Sequence, residues 1–422
     1  MNTANQESPV CLKLLIDEKV NRVVAAEANS DFADILLSFL TIPMGTIIRL
    51  TSKTDAQKAA SLKIGCMNKL YHAFENLNPE IWYTKHCRTM VLNPRNPRAD
   101  YCKKLKISVD DSGSQVTYMC SRGSCGSKYE DVPCKCGDTT KAPKERKLTD
   151  DSLGGHGYNG GAFLKRGRVM FIISDNLQIN PSSPTVLAQI LSGLGSSEMN
   201  QISEMSVDVS KEQVTRLLAR SLVSKSPLTD VFLPKMGASI LPSLPLNQPR
   251  LASLLMRGPN GLLRHESKTV PKLYLKVTLN KSSNKILFAE ATNEFFDFLC
   301  TFMTIPIGAI VYNLKWNSGL GCMDALYTSM VDLDDKWFES GATNSLSLSF
   351  PALAQHHDCK NQPLKLSEFG SKIMMNPKGG TNFAQEPSEF IISDDLEVKP
   401  LSSASCFNIL KAAPVPTNER PR

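Results

Sequence analysis

Two short, largely apolar runs flank a polar turn near the start of the chain, and apolar residues then recur at helical spacing. Residues 14–17 and 22–27 read as two short strands on either side of this turn, which predicts a β-hairpin. A helix capped by Ser30 is predicted next, ending before Pro43 and Gly45, and a strand is predicted over residues 46–50. The apolar positions of that helix are Phe32, Ile35, Leu36, Phe39 and Leu40.

The same succession of elements returns later in the sequence. Residues 21–45 and 284–308 align without a gap at a constant offset of 263. Two further blocks follow in the same order: GCMNKLY at 65–71 with GCMDALY at 321–327, and FIISDNLQINP at 171–181 with FIISDDLEVKP at 390–400. Three blocks in one order indicate two copies of one unit.

We therefore predict an α+β protein made of two homologous strand-hairpin/helix units in tandem. The first unit spans residues 11–234, and the second, which is truncated, spans residues 272–411. Residues 235–271 are rich in proline and predict a linker, and residues 412–422 predict a disordered tail. The second unit lacks a counterpart of the helix at 210–234 and of its ending, SPLTDVFL.

The two units differ most in an insertion of about residues 85–168 in the first. It contains four cysteines in the pattern C-x4-CG-x8-C-x-CG: Cys120, Cys125, Cys134 and Cys136. Thiolates at short spacing suit tetrahedral zinc, and four of them leave no position for water, so we predict a structural zinc site. Gly126 and Gly137 follow the cysteine pairs and fit turns that need a positive φ.

Other readings of these cysteines stay open. The four thiols could be unrelated or could form two disulfides, and Cys87 or Cys102 could replace one metal ligand. Cys66 and Cys322 recur at the start of the second helix, where a lowered thiol pKa could make a nucleophile. A role in the core is preferred for both.

The insertion is also basic, with 17 Lys or Arg against 9 Asp or Glu, a net charge of +8 where the whole chain has +7. Basic runs are usually solvated faces, and the alternative is a nucleic-acid contact. The residues proposed for that contact are Lys103, Lys104, Lys106, Lys165, Arg166 and Arg168.

No catalytic motif stands out. The chain has no P-loop, no GxSxG and no HExxH, and none of its six histidines recurs between the units. Three carboxylates do recur, as Glu27/Glu290, Asp34/Asp297 and Asp175/Asp394. We expect these at a strand end, on the polar face of a helix and in a turn, so no catalytic residue is predicted.

The sequence predicts a cytoplasmic or nuclear protein. Residues 1–10 are polar and lack the apolar core of a secretory signal. The most apolar run, residues 35–48, is shorter than the roughly 20 residues that cross a bilayer, so no membrane segment is expected. Reduced thiols or metal ligands are then expected in place of disulfides.

Several blocks resemble a plant protein family, the domain of unknown function numbered 674. They are AAEA at 25–28 and FAEA at 288–291, DFADILLSFLTIPMGT at 31–46, LYHAFENL at 70–77, FIISDNL at 171–177 and SPLTDVFL at 226–233. The resemblance implies a duplicated unit, a cysteine-bearing insertion and a land-plant source. Members often have C-x2-C where this chain has Cys120-x4-Cys125. The family has no established activity that the resemblance could imply for this chain.

Two functions of different kinds follow from these observations. The preferred one is a non-enzymatic protein-interaction or scaffold module with a structural zinc site, acting on a protein partner that the sequence does not identify. The alternative is a zinc-dependent nucleic-acid-binding protein that acts through the basic insertion. An enzyme of unfamiliar type ranks third, and the oligomeric state is left open.

Overall fold

In the part of the chain that the structure describes, helices account for 38% and strands for 23% of the residues, in agreement with the predicted α+β class. The computed structural model describes residues 9–55, 63–111, 116–145, 161–167, 169–192, 201–233, 272–280, 284–339, 341–364, 366–369, 374–386 and 388–412. We call residues 9–233 the N-terminal half and residues 272–412 the C-terminal half. The predicted linker and, apart from Ala412, the predicted tail lie outside the described residues.

The N-terminal half contains two sheets and eight described helices. Its main sheet has the strand order β7-β6-β2-β1-β8, and a small sheet in the insertion has the order β4-β3-β5. The strands are β1 (Cys11–Asp17), β2 (Arg22–Asn29), β3 (Val116–Met119), β4 (Gly126–Ser127), β5 (Ala142–Glu145), β6 (Met170–Ser174), β7 (Ile179–Pro181) and β8 (Ile202–Asp208). The helices are α1 (Ser30–Phe39), α2 (Met44–Asp55), α3 (Met67–Asn76), α4 (Lys85–Leu92), α5 (Ala99–Cys102), α6 (Pro184–Ser192), α7 (Lys211–Ser221) and α8 (Pro227–Phe232).

The C-terminal half has a four-stranded sheet of order β14-β13-β10-β9 and a parallel pair, β11-β12. Its strands are β9 (Leu275–Asn280), β10 (Lys285–Thr292), β11 (Leu353–Ala354), β12 (Glu368–Phe369), β13 (Glu389–Ser393) and β14 (Val398–Pro400). Its described helices are α9 (Asn293–Thr304), α10 (Ile307–Asn313), α11 (Met323–Asp332), α12 (Ala342–Ser349) and α13 (Ser403–Ala412).

Helix α1 begins one residue away from the predicted cap. The side chain of Asn29 accepts the backbone N–H groups of Asp31 and Phe32, so Asn29 caps the helix and Ser30 is its first residue. The predicted apolar face is completely buried, as expected for a helix that packs into a core.

The predicted strand at residues 46–50 is wrong, because these residues belong to α2. Pro43 accepts the N–H of Ile47 and starts the helix. Thr46, Ile47 and Ile48 are β-branched, which favours a strand reading over five residues. Over the longer window, Met44, Ile47, Ile48 and Thr51 lie at helical spacing, and all four are buried.

The two hairpins have the same register. Leu12 pairs with Ala28 and Leu275 with Ala291, two pairs that are 263 positions apart in sequence. The β-bulge falls at the same place in both, and Asn21 and Asn284 have positive φ values of 48° and 51° in the two turns. The same backbone geometry therefore follows the same sequence block in each half.

The two halves meet at their I-P-x-G segments, residues 42–45 and 305–308. Met44 donates its N–H to Ile305 O at 3.1 Å, and Ile307 donates its N–H to Ile42 O at 3.2 Å. Pro43 lies opposite Pro306 in an antiparallel bridge. These two bonds are equivalent at the offset of 263, so this part of the contact is two-fold in character, and a single hydrophobic core extends across it.

A second pair of contacts is also reciprocal. Tyr83 donates its N–H to Phe383 O at 2.8 Å, just after the short 3₁₀ turn Pro79–Ile81. Glu339 donates its N–H to Phe163 O at 2.8 Å, just after the turn Asp335–Trp337. Each half therefore completes the hydrogen bonding of a turn in the other.

Candidate metal centre

The four cysteines of the insertion lie on two loops of the small sheet. The first loop joins β3 to β4 and contains Cys120 and Cys125, which pair through Cys120 N and Cys125 O at 2.9 Å. The second loop precedes β5 and is closed by an antiparallel bridge between Pro133 and Thr139. The sheet thus brings two cysteine-bearing turns side by side.

Backbone geometry turns each loop toward the cluster. Gly137 has a φ of 79° and donates its N–H to Cys134 O, as the sequence pattern predicts for the second loop. The first loop differs, because its positive-φ residue is Gly123, with a φ of 66°. Gly126 is instead in β4, where a β-carbon would lie 3.0 Å from Met119 Sδ.

The sulfur atoms of Cys120, Cys125, Cys134 and Cys136 form a compact group, all within 4.8 Å of one another. The Sγ of Cys136 lies 3.8 Å from that of Cys125 and 3.7 Å from that of Cys120. A tetrahedron with metal–sulfur bonds of about 2.3 Å has edges of about 3.8 Å. A disulfide needs about 2.05 Å, and all four thiols are free. The group can therefore hold one metal ion.

Polar groups around the sulfurs tie the two loops together. The N–H of Cys125 points at Cys120 Sγ at 3.4 Å, and this contact, together with hydrogen bonds from Ser124 and Cys136, lowers the pKa of the Cys120 thiol to about 6. The Asp138 carboxylate in the second loop accepts the N–H of Ser121 in the first at 2.9 Å. Sequence spacing gave no sign of Asp138, because its partner is 17 positions away. Such contacts around a metal site orient its ligands.

Cys87 and Cys102 are not part of this group. Cys87 is buried beside Thr84, and Cys102 is buried beside Thr41 and Asn96. Burial raises the pKa of Cys102 to about 12, which is the behaviour of a core thiol. The alternative that either replaces a ligand is not supported.

The two cysteine-bearing loops are also connected to the C-terminal half. Met375 donates its N–H to Gly126 O at 2.7 Å, and Gly126 and Met374 form a parallel bridge. Strand β4, which follows Cys125 directly, is therefore held both by the cluster and by the other half of the chain.

The basic residues predicted to bind nucleic acid are only partly brought together. Lys106 pairs with Asp31 at 2.7 Å, and Arg166 approaches the same carboxylate at 3.6 Å while donating to Lys104 O at 3.2 Å. Lys103 pairs with Asp100 at 2.9 Å and Lys165 is exposed, whereas Arg168 lies outside the described residues. Asp31 thus compensates part of the positive charge, and nucleic-acid contact stays a prediction.

Asp34 and Asp297 hold backbone segments in place. Asp34 was expected on the polar face of its helix, but it is fully buried and accepts the N–H groups of Ala162, Phe163 and Leu164 at 2.8, 3.1 and 2.8 Å. Asp297 accepts those of Phe383 and Ala384 at 2.9 and 3.1 Å. Each carboxylate anchors the segment that pairs with the other half.

The Asp34 carboxyl should make stability depend on pH. Burial raises its pKa to about 7, against the opposing effect of three N–H donors. The folded state then binds the proton more tightly than the unfolded state, so the contribution of Asp34 to stability falls as pH rises from about 4 to about 7, by an amount of the order of 4 kcal/mol. Urea unfolding of the wild type and of Asp34→Asn over this range measures it. A pH-independent difference between the two would contradict the assignment.

One feature that sequence reasoning missed is an apolar cleft between the halves, with a volume of about 500 Å³. Cys66 is half-buried and lines it, whereas Cys322 is fully buried and donates to Ser224 O at 2.9 Å. The cleft also involves Phe302, Ala309 and Leu314. The core role expected for both recurring cysteines therefore holds for Cys322, and Cys66 departs from it.

The fold and the cluster together define an α+β protein with a four-thiol group able to hold a metal ion. The chain belongs to the family described as "Protein of unknown function (DUF674)", whose profile matches residues 6–419. This confirms the family resemblance, while the land-plant source stays a prediction. Neither curated proteins nor solved structures gave a match.

None of the helices in the described part of the chain combines the length and the hydrophobicity that a membrane crossing requires.

Proposed function

We propose that this protein is a non-enzymatic interaction module whose N-terminal half is stabilised by a structural zinc ion. The observation that carries the proposal is the four-sulfur group, with separations of 3.7 and 3.8 Å. Soft thiolates in a tetrahedral set favour zinc, and four protein ligands leave no open coordination position for substrate or water. The ion would therefore supply folding energy and no chemistry.

We further propose that the fold consists of two copies of one unit. Support comes from the shared register and bulge of the two hairpins and from the mirrored hydrogen bonds between residues 42–45 and 305–308. An interface in which each side makes the same contacts is typical of a symmetric dimer. A duplicated chain can retain such an interface within one polypeptide.

The recurring carboxylates support a role without catalysis. A general acid or base needs an oxygen that can reach a substrate. Asp34 and Asp297 direct theirs to backbone N–H groups. Asp175 accepts from Arg22 and Thr229 in the turn after β6.

Metal analysis of protein purified without chelator tests the zinc proposal. We expect one zinc per chain and its loss in Cys134→Ser, while Cys11→Ser, an exposed thiol outside the cluster, keeps it. Cobalt substitution should give the absorption of tetrahedral thiolate coordination. Protein that is free of metal by this measurement, or metal that survives Cys134→Ser, would refute the proposal.

A further inference from the structure

One side of strand β9 is apolar and exposed, although the same side of β1 faces the core. Leu275, Val277 and Leu279 project from one side of this strand and are 39%, 42% and 45% exposed. Their counterparts at the offset of 263 are Leu12, Leu14 and Ile16 on β1, which are 0%, 0% and 7% exposed. The same positions are thus buried in one half and uncovered in the other.

The difference is explained by residues 201–233, which we call the arm. Its strand β8 pairs along the free edge of β1, with Leu14 opposite Met205. Its helix α7 begins at a Ser210–Gln213 capping box, packs on α2 and buries Val214, Leu217 and Leu218. The arm therefore covers both the sheet edge and the helix next to it.

Polar contacts fix the end of the arm. Thr229 donates its N–H and its hydroxyl to Asp175 at 3.0 and 2.8 Å, and its hydroxyl oxygen accepts the N–H of Val23. Lys225 donates to Gly321 O at 2.6 Å, and Ser221 O accepts the N–H of Cys322 at 2.7 Å. The arm thus contacts the β1–β2 hairpin, the turn after β6 and the G-C-M turn of the opposite half, Gly321–Met323.

The C-terminal half has the corresponding contact points without an arm over them in the described residues. Strand β9 lies at the edge of its sheet. Asp394, which corresponds to Asp175, is exposed. Ile286, which corresponds to Val23, is 41% exposed. The 500 Å³ cleft lies where α7 would pack, between α10 and the other G-C-M turn, Gly65–Met67. Five separate contact points of the arm therefore recur on the C-terminal half, and we call them together the docking face.

The number of arms in the chain bears on which polypeptide could cover the docking face. The sequence contains SPLTDVFL once, at 226–233, and this arm covers its own half. A second copy of the chain would add one arm and two surfaces that an arm can cover, one on each half. Each added copy would therefore leave one such surface uncovered. This count favours a different polypeptide as the source of the occupant.

We propose that the docking face binds a strand–helix arm of another polypeptide, with the chemistry of residues 201–233. A strand of that partner adds to the edge of β9, and an amphipathic helix places its apolar side chains in the cleft. A threonine hydroxyl after the helix reaches Asp394. The inference rests on the proposed interaction function, since it names the kind of partner.

A labelled synthetic peptide of residues 201–233 is the probe, titrated into the full chain and followed by fluorescence anisotropy. We expect saturable binding that Val277→Lys weakens at least about tenfold, because a charge on β9 would be buried. Amide exchange at residues 275–279 should slow when the peptide binds. Val20→Lys, at an equally exposed apolar residue of the other hairpin, should leave the affinity unchanged.

The peptide provides its own matched pair. Leu217→Lys in the peptide should abolish binding, because Leu217 lies on the apolar face of α7, whereas Arg216→Gln on the exposed face should bind normally. Absence of saturable binding would overturn the proposal. So would binding that ignores Val277→Lys, since the peptide would then be replacing the arm of the N-terminal half.

Two other occupants give distinct results. Self-association of the chain that Val277→Lys abolishes would assign the face to a second copy. Peptide binding that appears only after residues 240–268 are replaced by a Gly/Ser linker would assign it to the chain itself. Either result overturns the proposal. Metal content is measured separately, so failure of the peptide experiment leaves the zinc proposal standing, and the reverse also holds.

Discussion

Replacement of Cys134 by serine is expected to lower the free energy of unfolding by about 3 kcal/mol or more. Loss of one ligand would remove the proposed zinc ion, and the small sheet of β3, β4 and β5 has little core of its own to replace it, because β3 is only half-buried. Chemical denaturation of the purified chain, monitored by intrinsic fluorescence, measures the change. Treatment of the wild type with a strong zinc chelator should reproduce the same loss.

The effect should also extend beyond the insertion. Because Gly126 O accepts the N–H of Met375, loosening of β4 should speed amide exchange at residues 374–376 in the other half. Cys11→Ser provides the control, since this exposed thiol is far from the group in sequence and outside the set of close sulfurs. Equal stability of Cys134→Ser and wild type would mean that the cluster does not carry folding energy.

A second large effect is expected from Gly308→Ala, which should cost about 2–4 kcal/mol. A β-carbon at this position would lie 2.8 Å from Pro351 Cγ and 3.0 Å from Leu40 O. Relief of that overlap would require the I-P-x-G segments to separate, because Gly308 N–H itself bonds to Leu40 O at 2.8 Å. Thermal or urea unfolding measures the difference.

Two further glycines serve as comparisons for this test: Gly45, which corresponds to Gly308 in the other half, and Gly167, where a β-carbon meets no other atom. A β-carbon on Gly45 would lie 3.0 Å from Met303 O and 3.1 Å from Val91 O, so Gly45→Ala should be destabilising as well. Gly167 has no atom within 4 Å of such a carbon, so Gly167→Ala should change stability by no more than about 1 kcal/mol. A Gly308→Ala variant as stable as Gly167→Ala would show that the two segments can part without cost.

Sequence patterns predicted the elements whose signal is local. The hairpins follow from short apolar runs on either side of a polar turn, and the buried face of α1 follows from apolar residues at helical spacing. Residues 46–50 were misread because β-branched residues favour strands in a short window, while Pro43 starts a helix there. The cap moved from Ser30 to Asn29 because both residue types can cap a helix.

The sulfur cluster was also predictable, whereas its surroundings were not. The short sequence spacing of the four cysteines was sufficient to predict their group, because two short loops of one small sheet keep them close together. The ion pair of Lys106 with Asp31 joins residues 75 positions apart, and no local pattern reports such a contact. The docking face had a sequence signal, the missing counterpart of residues 210–234, but only the exposure of β9 shows its consequence.

The reciprocal pairing of the two halves places a demand on synthesis. The hydrogen bond from Tyr83 N–H to Phe383 O cannot form until the ribosome has added Phe383, which lies 300 positions later in the chain. At about 5–20 residues per second this delay lasts roughly 15–60 s. For most of this time, the newly synthesised N-terminal half exposes the apolar surface around Phe74 that later packs on Phe296. Efficient production of this protein should therefore depend on chaperones that shield the first half until the second arrives.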